Sequence, residues 1–336
     1  MFEFSVVGGR AARDIIGRSR PAIVEQVRET YLAHDAGRTI NPDSYFLRFP
    51  EKPDSRIIAL PAYLGGAGHD VAGIKWISSF PGNIDQGIPR ASAALILNDY
   101  ATGYPFAVLE ASQVSAARTA ASAVLAAEQL TGGRSADRIA VIGGGIIARN
   151  ILEFFVAQKW SVGRVAVYDQ IAEYGTALAS YTRETLGYPA DPVADLATAV
   201  AGADVVVFAT TAGEPYVLDA DAFAPGQVVL NISLRDIGPE IIHDAYNVLD
   251  DVDHCLKANT SPHLAEQKYG NRDFITGTLA QVIRGTATVG RDRPVIFSPF
   301  GLGVLDLAVG TYVYEQARAA GDLVTVDDFF GETSRW

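Results

Sequence analysis

Three charged residues stand in surroundings that do not suit a merely solvated charge. Lys75 lies inside Ala72-Gly-Ile-Lys-Trp-Ile-Ser78, a short apolar run of strand type in which lysine is a poor fit. On a period of two it shares a face with Gly73 and Ile77 and opposes Ile74 and Trp76. One reading is a solvated strand face. The other is burial, which lowers an ammonium pKa toward the range of proton transfer or leaves a cation that attracts a carboxylate. Arg118 lies in Ser115-Ala-Ala-Arg-Thr-Ala-Ala-Ser-Ala-Val-Leu-Ala-Ala127 with no other charge nearby. A guanidinium on so closely packing a helix must meet an anion. That anion is an internal acid such as Glu110 or a substrate carboxylate, and the planar fork makes the carboxylate the expectation. Asp236 closes Asn231-Ile-Ser-Leu-Arg-Asp236 just past an apolar run. It is read as a turn residue or as an acid at the ligand-binding edge of a parallel sheet.

A second kind of chemistry is written in Ile139-Ala-Val-Ile-Gly-Gly-Gly-Ile-Ile-Ala148. The β-branched run meets Gly143, Gly144 and Gly145, then passes through Ile146, Ile147 and Ala148 into a helix-compatible segment ending near Ala157. Gly143, Gly145 and Ala148 match G-x-G-x-x-G/A. In that pattern the first glycine makes the turn, the second admits a pyrophosphate, and the small third residue packs helix on strand. Phosphates would rest on the N–H groups at the helix start. Glycine triplets alone are weak signals, so context decides. Val165-Ala-Val-Tyr168 follows and ends in Asp169, at roughly the 20-residue spacing where an acid accepts hydrogen bonds from the adenosine ribose. An acid there also repels a 2′-phosphate, which favours NAD over NADP. Thr210 and Ser233, closing the apolar runs 204–210 and 227–233, join the expected cofactor-binding set. So do Phe300 and Gly301 of Ser298-Pro-Phe-Gly-Leu-Gly303, a second glycine-rich loop placed to wall the nicotinamide.

Composition narrows the field. With 49% apolar and 20% charged residues over 336 positions, the chain is globular and long enough for two domains. A net charge of −12 argues against nucleic acid and against anionic membrane surfaces as partners. The N-terminal Met1-Phe-Glu-Phe-Ser-Val-Val has no basic region followed by a long apolar one, and the expected location is the cytoplasm. Cys255 is the only cysteine, and no role is assigned to it. His34, His69, His243, His254 and His263 are scattered without metal-ligand spacing, so no metal is expected. No G-x-S-x-G elbow and no P-loop lysine accompany the glycines.

These residues must be positioned by two kinds of element. Residues 9–36 have helical periodicity in Ile15, Ile16, Ile23, Val24, Val27 and Tyr31. Short strand-type runs broken by Pro and Gly then follow at 45–49, 56–60, 72–78, 93–98 and 106–109, the pattern of antiparallel strands. After the Ala-rich helix, Thr131-Gly-Gly-Arg-Ser135 reads as a hinge. Beyond it, helical stretches near 172–186 and 193–201 alternate with apolar runs at 204–210, 227–233, 247–249 and 294–298. The expected fold class is α/β: a Rossmann-type doubly wound parallel sheet plus a smaller α+β substrate and dimerisation domain with antiparallel strands. The tail 304–319 is helical and returns to the first domain. The expected domains are therefore 1–130 with 304–336, and 131–303.

Taken together, Gly73-Ile-Lys-Trp, Thr102-Gly-Tyr-Pro, Ser115-Ala-Ala-Arg-Thr-Ala-Ala121, the glycine fingerprint and the 298–306 loop resemble the ornithine cyclodeaminase/mu-crystallin family over nearly the whole chain. Arg56-Ile-Ile-Ala-Leu-Pro61, Tyr168-Asp-Gln170 and Asn231-Ile-Ser233 resemble its branch that makes L-2,3-diaminopropionate for siderophores and peptide antibiotics. That resemblance implies NAD-dependent oxidation of N-(1-amino-1-carboxy-2-ethyl)-glutamate and hydrolysis of the imine to 2-oxoglutarate and diaminopropionate. It implies that Lys75 and Arg118 match the catalytic lysine and carboxylate-binding arginine, Asp236 the acid/base aspartate, and Arg48 a second carboxylate anchor. Arg90, ending the loop 79–90, is a further candidate contact. Cyclodeaminases carry an acid near the Met-Pro equivalent, where this chain has Ile58 and Ala59, which turns the expectation away from ornithine. The family also implies a homodimer built through the antiparallel domain. The alternatives are another amine or imine oxidoreductase of the family, or a silent binding protein of mu-crystallin type.

Overall fold

The structure, a computed structural model, describes residues 3–66 and 70–335. His69 and the first two residues of the N-terminal reading lie outside the described residues. The chain divides into two compact units, Met1–Arg118 with Leu302–Trp336, and Thr119–Gly301. The first boundary falls inside a helix, where the sequence reading set it at the helix end.

In the first unit, β1 (Ser5–Val7) leads into α1 (Gly9–Asp35), and then come β2 (Thr39–Ile40), β3 (Tyr45–Phe49), β4 (Lys52–Leu64), β5 (Val71–Ser79), β6 (Ala91–Asp99) and β7 (Pro105–Glu110). The meander β4-β5-β6-β7 is antiparallel, whereas β1 joins β7 in parallel, so the sheet is mixed. β4 runs unbroken through Pro53 and Pro61, longer than the five residues expected. Pro61 falls where neither β3 nor β2 pairs with β4, a position at which a missing N–H is tolerated.

The second unit begins within α2 (Ser112–Thr131) and continues β8 (Ser135–Ile142), α3 (Ile146–Ala157), β9 (Ser161–Tyr168), α4 (Ala172–Glu184), β10 (Ala190–Pro192), α5 (Leu196–Val200), β11 (Val205–Phe208) and β12 (Val228–Asn231). It is completed by α6 (Pro239–Asp244), β13 (Tyr246–Leu249), α7 (Val252–Cys255), α8 (Ser261–Tyr269), β14 (Ile275–Thr278), α9 (Leu279–Arg284) and β15 (Val295–Ser298). Its eight strands run in the order β10-β9-β8-β11-β12-β15-β13-β14, every pair parallel. All of β11, β12 and β15 is buried, which explains why these runs are continuously apolar rather than alternating.

The tail forms α10 (Gly303–Ala320) and β16 (Val324–Thr325), which pairs with β1. α10 packs on α1 and across β4, β5 and β6, so the returning helix finds its partner in the first unit's sheet. This close approach depends on Gly73, since a Cβ there would sit 2.2 Å from the Ile96 carbonyl oxygen and 2.8 Å from Leu307 Cδ2. Among the described residues the opposite face of the same sheet carries no helix of its unit. It leaves Trp76 44% exposed beside exposed Tyr45, Leu47 and Ile96.

Candidate active site

The first unit buries a charge cluster around one carboxylate. Lys75, 2% exposed, donates to Asp306 Oδ2 at 2.7 Å and to Ser115 Oγ at 3.1 Å. Arg118 Nε donates to Asp306 Oδ1 at 3.2 Å. The solvated-strand reading of Lys75 is therefore excluded. Its period-two face is the face covered by α10, while Trp76 points the other way. The ion-pair partner of Arg118 is Asp306, not Glu110, whose carboxylate instead accepts the Ser112 and Gln113 amides at the start of α2. Burial, with Arg118 beside it, pushes the Lys75 ammonium down to about 8 against the opposing pull of Asp306. Two cations share one fully buried anion, so the cluster retains one positive charge with Lys75 protonated. Nε is the only guanidinium nitrogen of Arg118 with an acceptor among the described residues, leaving the rest of the fork for a further carboxylate.

Four residues along β5 from Lys75, on the same face, Ser79 Oγ accepts from Arg90 Nη1 at 3.1 Å. Ser79 pairs in register with Arg56, and Arg56 with Arg48, whose guanidinium stacks 5.3 Å from the Phe46 ring centroid. Ile58 lies between Arg56 and Leu60 on β4 and pairs with Ile77, so the stretch between Arg56 and Lys75 on this face is apolar.

In the second unit the glycine loop connects β8 to α3. Gly143 has φ +100, a region open to glycine, and a Cβ there would meet the Ala209 carbonyl oxygen at 2.6 Å. Gly144 packs against Tyr174 backbone. At Gly145 a Cβ meets nothing within 4 Å, and α3 begins there without a side-chain cap. The exposed Ile146 follows, and Ile147 leads to the buried Ala148. An open approach to uncapped N–H groups fits a dinucleotide pyrophosphate. Asp169, just past β9, accepts from Gly144 N at 2.6 Å and from Ile171 N at 2.8 Å. It is thus a turn residue and a brace for the glycine loop at once, and each oxygen keeps a lone pair for a ribose hydroxyl.

Asp236 is fully buried, and its carboxylate accepts from the hydroxyls of Thr210, Ser233 and Tyr216, the last at 3.0 Å. Thr210 and Ser233 follow β11 and β12, so the apolar strands deliver their polar ends to one acid. Burial and the adjacent Asp236 raise the Tyr216 hydroxyl well above its ordinary value, which keeps it a donor. In the second glycine-rich loop, Phe300 N and Gly301 N both donate to Asp250, at 2.9 and 2.7 Å. Their amides are therefore spent on shaping the loop. Cys255 Sγ donates to the same Asp250 at 2.9 Å, and burial with that carboxylate raises the thiol well above its usual range, so it is no nucleophile.

Sequence reasoning missed Asp306, Asp250, Tyr216 and Arg56 as working residues. Asp306 carried a signal, since it is the only charge in Val304-Leu-Asp-Leu-Ala-Val309. Asp250 sits in Asp250-Asp-Val-Asp253, where nothing in sequence marks one carboxylate as a loop holder. None of the predicted residues lines the cavity of about 320 Å³ bounded by Glu29, Arg38, Thr311 and Glu315 in the first unit. Among the described residues there is no group of three or more His, Cys, Asp or Glu able to hold a metal, and no helix long and apolar enough to cross a membrane.

The model of the ornithine cyclodeaminase/mu-crystallin family matches residues 17–321. The chain is 32% identical to N-((2S)-2-amino-2-carboxyethyl)-L-glutamate dehydrogenase of Staphylococcus aureus, over 90% of this chain and 92% of that protein. It is also 32% identical to alanine dehydrogenase of Archaeoglobus fulgidus, over 87% and 88% of the two chains. Among solved structures, an archaeal alanine dehydrogenase dimer with bound NAD superposes with a TM-score of 0.87 at 26% identity, covering 98% of this chain and all of that one.

Proposed function

The chain belongs to the ornithine cyclodeaminase/mu-crystallin family, and on that premise we propose that it is an NAD-dependent amine dehydrogenase acting on N-(1-amino-1-carboxy-2-ethyl)-glutamate. The products are 2-oxoglutarate, L-2,3-diaminopropionate and NADH, the diaminopropionate serving siderophore or peptide-antibiotic assembly. The observation that carries this reading is the 32% identity to the Staphylococcus aureus dehydrogenase across nine-tenths of both chains. The apolar Ile58 and Ala59, near the position where cyclodeaminases carry the acid that meets the ornithine amine, support it.

Arg118 and Arg48 hold substrate carboxylates, and the charge left over from the Lys75–Asp306–Arg118 cluster favours the anion. Gly143 to Ala148 would hold the pyrophosphate of NAD and Asp169 its ribose, and Phe300 and Gly301 would wall the nicotinamide end. Bound NAD supplies the hydride acceptor for the glutamate α-carbon. Lys75, pushed down to about 8, takes the proton that the secondary amine must lose before oxidation. Water then adds to the substrate imine carbon. Asp236 takes up the first water proton through the Thr210, Ser233 or Tyr216 hydroxyls and returns it to the departing nitrogen as the C–N bond breaks, and the carbinol hydroxyl gives up the second to the same nitrogen as the 2-oxoglutarate carbonyl forms. The exposed apolar face around Trp76 is the face on which a second copy docks.

A second reading, an alanine dehydrogenase, is favoured by the equal identity to the Archaeoglobus fulgidus enzyme. The two separate when L-alanine and the conjugate compete for the enzyme with NAD. 2-Oxoglutarate formed without pyruvate supports the proposal, and pyruvate as the main product overturns it.

A further inference from the structure

Arg48, Arg56 and Arg90 converge at one end of the first unit's sheet, and among the described residues none of them meets a carboxylate. Arg56 pairs with Arg48 across β3 and β4 and with Ser79 across β4 and β5. Arg90 reaches Ser79 from the start of β6. Arg56 Nε is buried and has no acceptor among the described residues. Burial and Arg48 lower the Arg56 guanidinium, and burial and Arg56 lower that of Arg90. Like charges this close, partly withdrawn from water, are costly until an anion joins them.

Their placement relative to Lys75 gives the group a meaning. Arg56 and Ser79 form one cross-strand pair, Leu60 and Lys75 another, and both side-chain sets face the same way. Four residues at about 3.3 Å each separate the two ends by roughly 13 Å along the strands. Between them the face is apolar, made of Ile58 and Ile77. Cationic ends joined by an apolar floor suit a chain with a carboxylate at each end.

Resting on the proposed function, we infer that Arg56 and Arg90 form a second carboxylate subsite, separate from the Lys75–Arg118 cluster, that selects dicarboxylate substrates and takes the glutamate-moiety carboxylate remote from the oxidised carbon. Alanine, with a single carboxylate, has nothing to offer it. The glutamate conjugate does, and so does its keto-acid product.

The test is binding of 2-oxoglutarate against 2-oxopentanoate, the same carbon chain lacking the second carboxylate, to the NADH-loaded enzyme by calorimetry. The wild type should prefer 2-oxoglutarate by about 10- to 100-fold, the range for a hydrogen bond to a charged group. R56Q and R90Q should each lose most of that preference with 2-oxopentanoate and NADH affinities unchanged. R56K, which keeps the charge without the fork, should retain part of it and guards against misfolding. A preference absent from the wild type, or untouched in R56Q and R90Q, overturns the subsite. Should the conjugate be oxidised while R56Q keeps the preference, the subsite fails and the reaction stands. Should R56Q abolish the preference in an enzyme that leaves the conjugate intact, the reaction fails and a dicarboxylate subsite stands.

Discussion

Asp306 decides how Lys75 and Arg118 behave. Its two oxygens are divided between an ammonium and a guanidinium, all three groups withdrawn from water. Asp306→Asn would leave two buried cations without their counter-charge, and removing one partner of a buried pair costs about 3–5 kcal/mol. A fall of that size in unfolding free energy, measured by urea denaturation, is expected, and a loss below about 1 kcal/mol would show the cluster to be solvated. The same burial predicts a pH dependence. Because Lys75 is pushed down to about 8, the proton-accepting neutral amine becomes populated as pH rises through that value. kcat/KM should therefore climb with pH and level off above about 8, while a flat profile across this range assigns proton transfer to another group. Lys75 and Arg118 were legible because their charges contradict their neighbours. Asp306 was less so, since one acid in the first turn of a helix also satisfies the helix dipole and needs no partner. Which acid meets which cation is a matter of tertiary approach across 231 positions of sequence separation, and no local pattern encodes it.

Among the elements, the β8-loop-α3 unit was the most readable. A buried β-branched strand, three glycines and an apolar helix admit few other foldings. The distinct tasks of the glycines emerge only in three dimensions: Gly143 is held by φ and by the Ala209 carbonyl, whereas Gly145 faces open space. Gly145→Val should accordingly leave the fold intact and fill the approach to the α3 N–H groups. NAD affinity should drop roughly tenfold or more, a loss of about 1.4 kcal/mol per decade, with little change in Tm. Unchanged affinity would remove the pyrophosphate from this loop. β4 was underestimated because prolines read as breaks, yet Pro61 falls in the gap between the β3 and β2 pairings, with a partner on the β5 side alone. The parallel addition of β1 was invisible, since strand direction within a mixed sheet depends on the path of α1 rather than on three apolar residues.

For the molecule as a whole, the first unit's mixed sheet has one face covered by α10 and another left with Trp76, Leu47, Tyr45 and Ile96 exposed. Apolar surface of this kind is retained where a partner covers it. Trp76→Asp should convert a dimer to a monomer in sedimentation equilibrium, and a wild type that is already monomeric overturns the docking of a second copy on this face.

The central claim, oxidation of a glutamate–diaminopropionate conjugate rather than cyclisation of ornithine, is tested most directly by stoichiometry. The enzyme is incubated with NAD and the conjugate, and separately with NAD and ornithine, following NADH absorbance and identifying products by mass spectrometry. One NADH, one 2-oxoglutarate and one diaminopropionate per conjugate consumed, with ornithine untouched, is the expected result. Proline and ammonia from ornithine without net NADH, and no 2-oxoglutarate from the conjugate, would contradict it.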